Sequence, residues 1–136
     1  MTIGPTVVER VRWHDVDRMN IVYYGAYLRF TEGAEAEFFR AHGFTYDVLA
    51  AEHGIWLARI HLDARYRAPA RLDDEIATRY ELTKLGGSAL HFTIPIERAT
   101  DGARLVDVRL VLAALDATTL KATRIPRALR TALQAS

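Results

Sequence analysis

At 136 residues, half of them apolar and about a quarter charged, the chain has the size and composition of one soluble domain able to bury a core. A formal net charge of +1 lacks the cationic excess that nucleic-acid binding draws on. There is no cysteine, which removes disulfides and thiolate chemistry, and neither of the two serines, Ser88 and the terminal Ser136, sits in a Gly-x-Ser-x-Gly turn.

Residues 6–13 read as a first strand, with Val7, Val11 and Trp13 on one side. The segment Met1 to Trp13 alternates polar and apolar residues without a continuous apolar run, so no signal peptide is expected. Residues 14–25 show no period and read as a loop. Tyr27, Phe30, Ala34, Phe38 and Ala41 then recur in steps of three and four, which predicts a helix over 26–42, roughly 25 Å long and stopped at Gly43. A shorter helix is predicted from Thr45 to Glu52, ending at Gly54.

Beyond Gly54 the period becomes two. Trp56, Ala58, Ile60, Leu62, Ala64 and Tyr66 alternate with charged residues, as in a long strand with one face inward. Pro69 ends it. Ile76 to Leu82, Leu90 to Ile96 and Val106 to Leu112 make three more strands, with turns at Gly86-Gly87 and Asp101-Gly102. Pro95 predicts an edge position or a bulge for its strand. The longest apolar run, Leu110 to Leu115, is far below the about 20 residues of a membrane span. Pro126 precedes a short last helix carrying Leu129 and Leu133. Five antiparallel strands and one long helix form an α+β domain only if the sheet curls around the helix.

The segment Trp13-His14-Asp15-Val16-Asp17-Arg18-Met19-Asn20-Ile21-Val22-Tyr23-Tyr24-Gly25 places two carboxylates and a histidine just before that helix. Tyr24 or Gly25 stands where a cap belongs, no Ser, Thr, Asp or Asn is at hand, and the first turn holds no acid. Its free N–H groups and dipole can hold a developing oxyanion, or can be satisfied by water or covered by a partner chain. Asp17 can attack an activated carbonyl or deprotonate a water, and it can equally cap its own turn. Asp15 is expected to serve the structure and Glu32 to hydrogen-bond in a buried or interface position. His61 and His91 do not cluster as metal ligands do. Arg59, Arg65, Arg67, Arg71 and Lys84 form a solvated face that can meet phosphates.

This segment resembles the 4-hydroxybenzoyl-CoA thioesterase branch of the hotdog superfamily, which includes short-acyl-CoA thioesterases of bacteria. The matching residues are Trp13, Asp15, Asp17, Ile21-Val22, Tyr23-Tyr24, Tyr27 and Glu32. Further matches are Tyr66-Arg67-Ala68-Pro69, Asp73-Asp74-Glu75, Leu85-Gly86-Gly87-Ser88 and Arg124-Ile125-Pro126. The departure is Arg18-Met19-Asn20, where the family often carries small residues, commonly glycine.

The resemblance implies a single hotdog domain over residues 1–136, with a five-stranded antiparallel sheet around one central helix. It implies hydrolysis of acyl-CoA; Met19, Tyr23, Tyr24, Tyr27 and Trp56, read as the lining of a compact apolar or aromatic pocket, predict short-to-medium or aromatic acyl groups. A cytoplasmic protein is expected, without cofactor or metal and without nucleic-acid or membrane partners. Asp17 and the backbone N–H of Tyr24 would be catalytic. Asn20, Tyr23, Gly25, Gly87 and Ser88 would contact substrate. Two protomers would join their sheets into a homodimer, or further into a homotetramer, with sites shared between chains. The alternatives are a thioesterase for acyl-carrier proteins and a non-catalytic acyl-CoA-binding module.

Overall fold

Period-two patterning becomes one antiparallel sheet. In a computed structural model that describes residues 2–134, the strands are β1 (Thr2–Ile3), β2 (Val7–Arg10), β3 (Ile55–Tyr66), β4 (Glu75–Thr78), β5 (Glu81–Leu85), β6 (Ala89–Arg98) and β7 (Arg104–Asp116). The helices are α1 (Tyr27–Ala41), α2 (Tyr46–His53) and α3 (Arg127–Gln134). β6 is central: β7 pairs along one side, and β4 and β5 pair in tandem along the other. β2 and β1 lie outside β4 and β5, and β3 lies outside β7. Met1, Ala135 and Ser136, the ends of the expected 1–136 domain, lie outside the described residues.

The five expected strands are seven segments: the predicted strand over 76–82 is divided in two, and a further short strand, β1, precedes the first expected one. The predicted strand Ile76 to Leu82 divides at Arg79-Tyr80, where the ladder on β6 passes from Thr78↔Ile96 to Glu81↔Thr93. Tyr80 is fully buried there, and its carbonyl accepts the Gly4 N–H at 2.8 Å, in the interval that separates β1 from β2. Pro95 is not in an edge strand. It sits in central β6 at the level of this gap, and the ladder to β7 slips between Ile96 and Glu97, so the bulge alternative holds. Such interruptions let a sheet bend sharply.

The bend is needed because α1 buries residues across a wide arc: Tyr27, Phe30, Thr31, Ala34, Glu35, Phe38 and Phe39. Phe38 meets Phe92 of β6 edge-on at 5.1 Å between ring centres, and Tyr27 lies 5.8 Å from Tyr66 of β3. On the opposite edge of the sheet, Arg29 reaches Glu9 of β2 at 3.5 Å. One helix touching both edge strands is a sheet wrapped around a helix. The predicted stops hold: Gly43 and Gly54 have φ of +87° and +67°, the left-handed region that glycine enters without penalty. Leu129 and Leu133 bury α3 on the core, as expected.

Two readings of sidedness are corrected. Trp13 does not extend the first strand; it opens a short 3-10 turn and is 82% exposed. In β3 the alternation does not run unbroken. A bulge at Ile60 separates Arg59↔Leu112 from Leu62↔Leu110, so Leu57 and Arg59 share the inner face before it, and Leu62, Ala64 and Tyr66 share it after. Among the described residues β3 pairs only with β7, and Trp56, Ile60, Leu62 and Tyr66 stay 42–61% exposed.

The buried helix carboxylate is Glu35, not Glu32, which is exposed. Glu35 is ion-paired with Arg59 of β3 through Oε2, while its Oε1 has no hydrogen-bond partner among the described residues. Burial pushes its carboxyl above the ordinary range, against the pull of Arg59. We expect Arg59→Met, which strands this carboxylate, to cost on the order of 3 kcal/mol in denaturant unfolding. A raised folded-state pKa favours the protonated form. The deficit should therefore be smallest at or below the ordinary carboxylate pKa and grow as pH rises toward neutrality; an equal deficit at all pH values would contradict this origin.

The loop before α1 is a small hairpin. Tyr23 N–H bonds Asp15 O, Val16 bridges Val22, and Asp17 N–H bonds Ile21 O. The chain reverses through Arg18-Met19-Asn20, and Asn20 takes φ +63°. Asparagine is the non-glycine residue best suited to that conformation. Asn20 thus serves this turn without a glycine. Asn20→Gly should be neutral within about 0.5 kcal/mol, and Asn20→Ala should cost about 1 kcal/mol, read from chemical unfolding midpoints.

Candidate active site

The hairpin fixes what the candidate residues can do. Asp15 is its base and is only 2% exposed. Its Oδ2 accepts the Arg12 N–H at 2.7 Å, and Arg29 donates through Nε to Oδ1 at 3.1 Å and through Nη2 to Oδ2 at 2.5 Å. Burial acts to raise this carboxyl, but Arg29, the Arg12 N–H and nearby His14 outweigh it and hold it below the ordinary range. The expected structural service of Asp15 is visible in these bonds.

Asp17 lies two residues further out, partly buried, with its backbone held opposite Ile21. Its Oδ1 accepts the Met19 N–H at 2.8 Å, which closes the turn. That bond occupies one oxygen and leaves the other without a hydrogen bond to the described residues. Asn20 belongs to the same turn, its N–H on Asp17 O at 3.0 Å. His14 stands with Asp15, its Nε2 3.6 Å from Oδ1.

Tyr23, Tyr24 and Gly25 gather at the helix start. A 3-10 turn over Tyr24–Ala26 leads into α1, and neither it nor α1 has a side-chain cap or an acid in its first turn. Ala26 N–H closes onto Tyr23 O at 3.0 Å, while the N–H groups of Tyr24 and Gly25 find no such partner among the described residues. Tyr66 OH donates to Tyr24 O at 2.9 Å and ties the start to the end of β3. A Cβ on Gly25 would lie 3.1 Å from Tyr23 Cε2, so glycine lets this ring close over the turn. Tyr24 is 78% exposed, whereas Tyr27 is part of the core and not a pocket wall. Uncapped N–H donors beside a carboxylate-bearing hairpin suit a carbonyl that acquires negative charge during attack.

Gly87 and Ser88 are not brought to this place within one chain. Gly87 O accepts the Ile125 N–H at 2.9 Å, and Ser88 O accepts the Ala114 N–H at 2.9 Å. Ala114 stands opposite Leu57 at the start of β3, while Tyr24 is tied to Tyr66 at its end, opposite Val106. The eight residues between Ala114 and Val106 along β7 span about 26 Å. Arg29 escaped the sequence reading, although a D-x-D pair followed by an arginine in the first turn of a helix was its available signal. Among the described residues no group of three or more histidine, aspartate and glutamate side chains could hold a metal ion, and no helix is long and apolar enough to cross a membrane.

Comparison with known proteins agrees with this geometry. Residues 11–133 match the model of the thioesterase-like superfamily. The chain is 32% identical over 120 residues to the acyl-CoA thioester hydrolase YbgC of Escherichia coli, covering 88% of each. It superposes on the Thermus thermophilus protein TT1821 with a TM-score of 0.87 at 27% identity, covering 96% of this chain and 97% of that one. It has the fold of a 1,4-dihydroxy-2-naphthoyl-CoA thioesterase from Synechocystis, with a TM-score of 0.86 at 17% identity and coverage of 97% and 96%. The sheet curled around α1 is thus the hotdog fold, and the chain belongs to the thioesterase-like superfamily.

Proposed function

We propose that this chain is an acyl-CoA thioesterase, cytoplasmic and cofactor-free, that hydrolyses short-to-medium or aromatic acyl-CoA to the free acid and CoA. The observation that supports the reading is a hairpin bearing Asp17 that runs directly into an uncapped helix start. Its support from relatives is the Escherichia coli acyl-CoA thioester hydrolase. Asp17 acts on the thioester carbon directly, forming an anhydride, or takes a proton from the attacking water. The N–H groups of Tyr24 and Gly25 receive the charge that builds on the carbonyl oxygen, and the CoA thiolate departs.

The site is completed by a second copy. β3 leaves one long edge unpaired, lined by half-exposed apolar side chains. Two such edges meeting antiparallel about the Ile60 bulge set the Trp56 end of one copy against the Tyr66 end of the other. The Gly87-Ser88 turn of one copy then stands on the side of the Tyr24 region of its partner, three strand spacings or about 14 Å away. A pantetheine arm spans that interval. Tyr23, Tyr24, Met19 and Trp56, 41–78% exposed on their own chain, gather there and favour compact or aromatic acyl groups. The same pairing underlies a homodimer, and dimers can stack into a tetramer.

Asp17→Asn keeps the size of the side chain and removes its nucleophilicity and basicity. Its kcat on the best acyl-CoA should fall about 100-fold or more, with KM little changed, in an assay of released thiol. Activity within a few-fold of wild type would refute the assignment. Ile60→Glu places like charges where the two edges meet. Light scattering should then show single chains, and thioesterase activity should be lost although the fold is retained by circular dichroism; an active monomer would overturn the shared site.

A further inference from the structure

Asp15 and Arg29 hold the hairpin far more firmly than its size requires. The Asp15 carboxylate is 2% exposed, and its two oxygens receive the forked Arg29 guanidinium at 3.1 and 2.5 Å and the Arg12 N–H at 2.7 Å. Arg29 is itself anchored three further ways. Its Nη1 lies 3.5 Å from Glu9 Oε1, its Nη2 3.4 Å from Arg10 O, and its Cζ 4.4 Å from the centre of the Phe30 ring. Arg29 also belongs to α1, two residues beyond the start of that helix. One side chain therefore joins the base of the hairpin, the strand β2 and the helix whose first N–H groups would hold the carbonyl.

Asp17 is two residues beyond Asp15, about 7 Å along an extended chain. Among the described residues no bond ties its side chain to α1, and its carboxylate bonds only the Met19 N–H inside the same turn. The distance from Asp17 to the helix start is therefore set by the base of the hairpin. We propose that the Asp15–Arg29 pair is a positioning device that sets the reach of Asp17 toward the N–H groups of Tyr24 and Gly25. A planar fork on a buried carboxylate fixes both distance and angle, which a single point contact does not. Displacements near 1 Å between reacting groups are enough to lower rates about 100-fold. This inference rests on the reading of Asp17 as the group that acts on the thioester.

The test is a double-mutant cycle on the full-length protein, with kcat and KM measured for the acyl-CoA that wild type hydrolyses best. Arg29→Met should lower kcat by about 10- to 100-fold while KM stays within about threefold. Arg29→Lys, which keeps the charge without the fork, should recover part of that loss. In the Asp17→Asn background either substitution should change kcat by less than about twofold, because the group being positioned is gone. Should Arg29→Met not fold, Arg29→Lys carries the cycle. The proposal falls if both Arg29 variants keep wild-type kcat, or if the loss is the same size with and without Asp17. A cycle of that kind in an otherwise inactive Asp17→Asn protein sinks the positioning role alone; an active Asp17→Asn sinks the role of Asp17 and the device with it.

Discussion

One helix that must be covered on most of its circumference governs this molecule. α1 buries side chains from Tyr27 to Phe39 over an arc too wide for a flat sheet. The sheet meets that demand by interrupting one expected strand at Tyr80, slipping register in others and bending around the helix. The fully buried Tyr80 at one break, in ring contact with Phe38 and Phe92, shows the two requirements joined: the strand stops so that an aromatic side chain can turn inward. The site is a by-product of the same demand. The start of α1 is left at the rim of the wrap, uncapped and open, with a hairpin folded against it.

Much of this was legible in the sequence because burial writes a period. The three- and four-residue steps of α1, the glycine stops, and the alternation in β6 and β7 correspond to buried positions almost residue for residue. What periodicity could not show was interruption. A bulge at Ile60 and a break at Tyr80 leave the composition of their strands unchanged, so the pattern reads as continuous while the side chains change face. Glu32 and Glu35 illustrate the same limit. Both are glutamates on one helix, and the second is the buried one, paired with Arg59 from distant β3.

The site was legible to a different depth. Asp15, Asp17 and the missing cap stand out locally, because a chain with so few candidate nucleophiles narrows the chemistry by elimination. The hairpin that relates them was not visible, since residues 14–25 carry no period. Its turn depends on one residue accepting a left-handed backbone, and Asn20 does so without the glycine that would have advertised it. Gly87 and Ser88 were grouped with the helix start by resemblance alone. Within a single chain they lie at the other end of β3, and only the proposed pairing of copies would reunite them.

The bulge at Ile60 bears on how the chain avoids the wrong neighbours. A long unpaired strand invites any extended segment to add to it, and newly made chains expose it before they meet a copy. At Ile60 the regular spacing of donors and acceptors along β3 is interrupted near its middle, and His61, Asp63 and Arg65 follow on the outer face. A generic strand can match one half of this edge but falls out of step with the other. A strand with the same interruption, running the opposite way, stays in step throughout. The irregularity thus hinders amyloid-like addition, and in the proposed pairing of copies both edges would carry it.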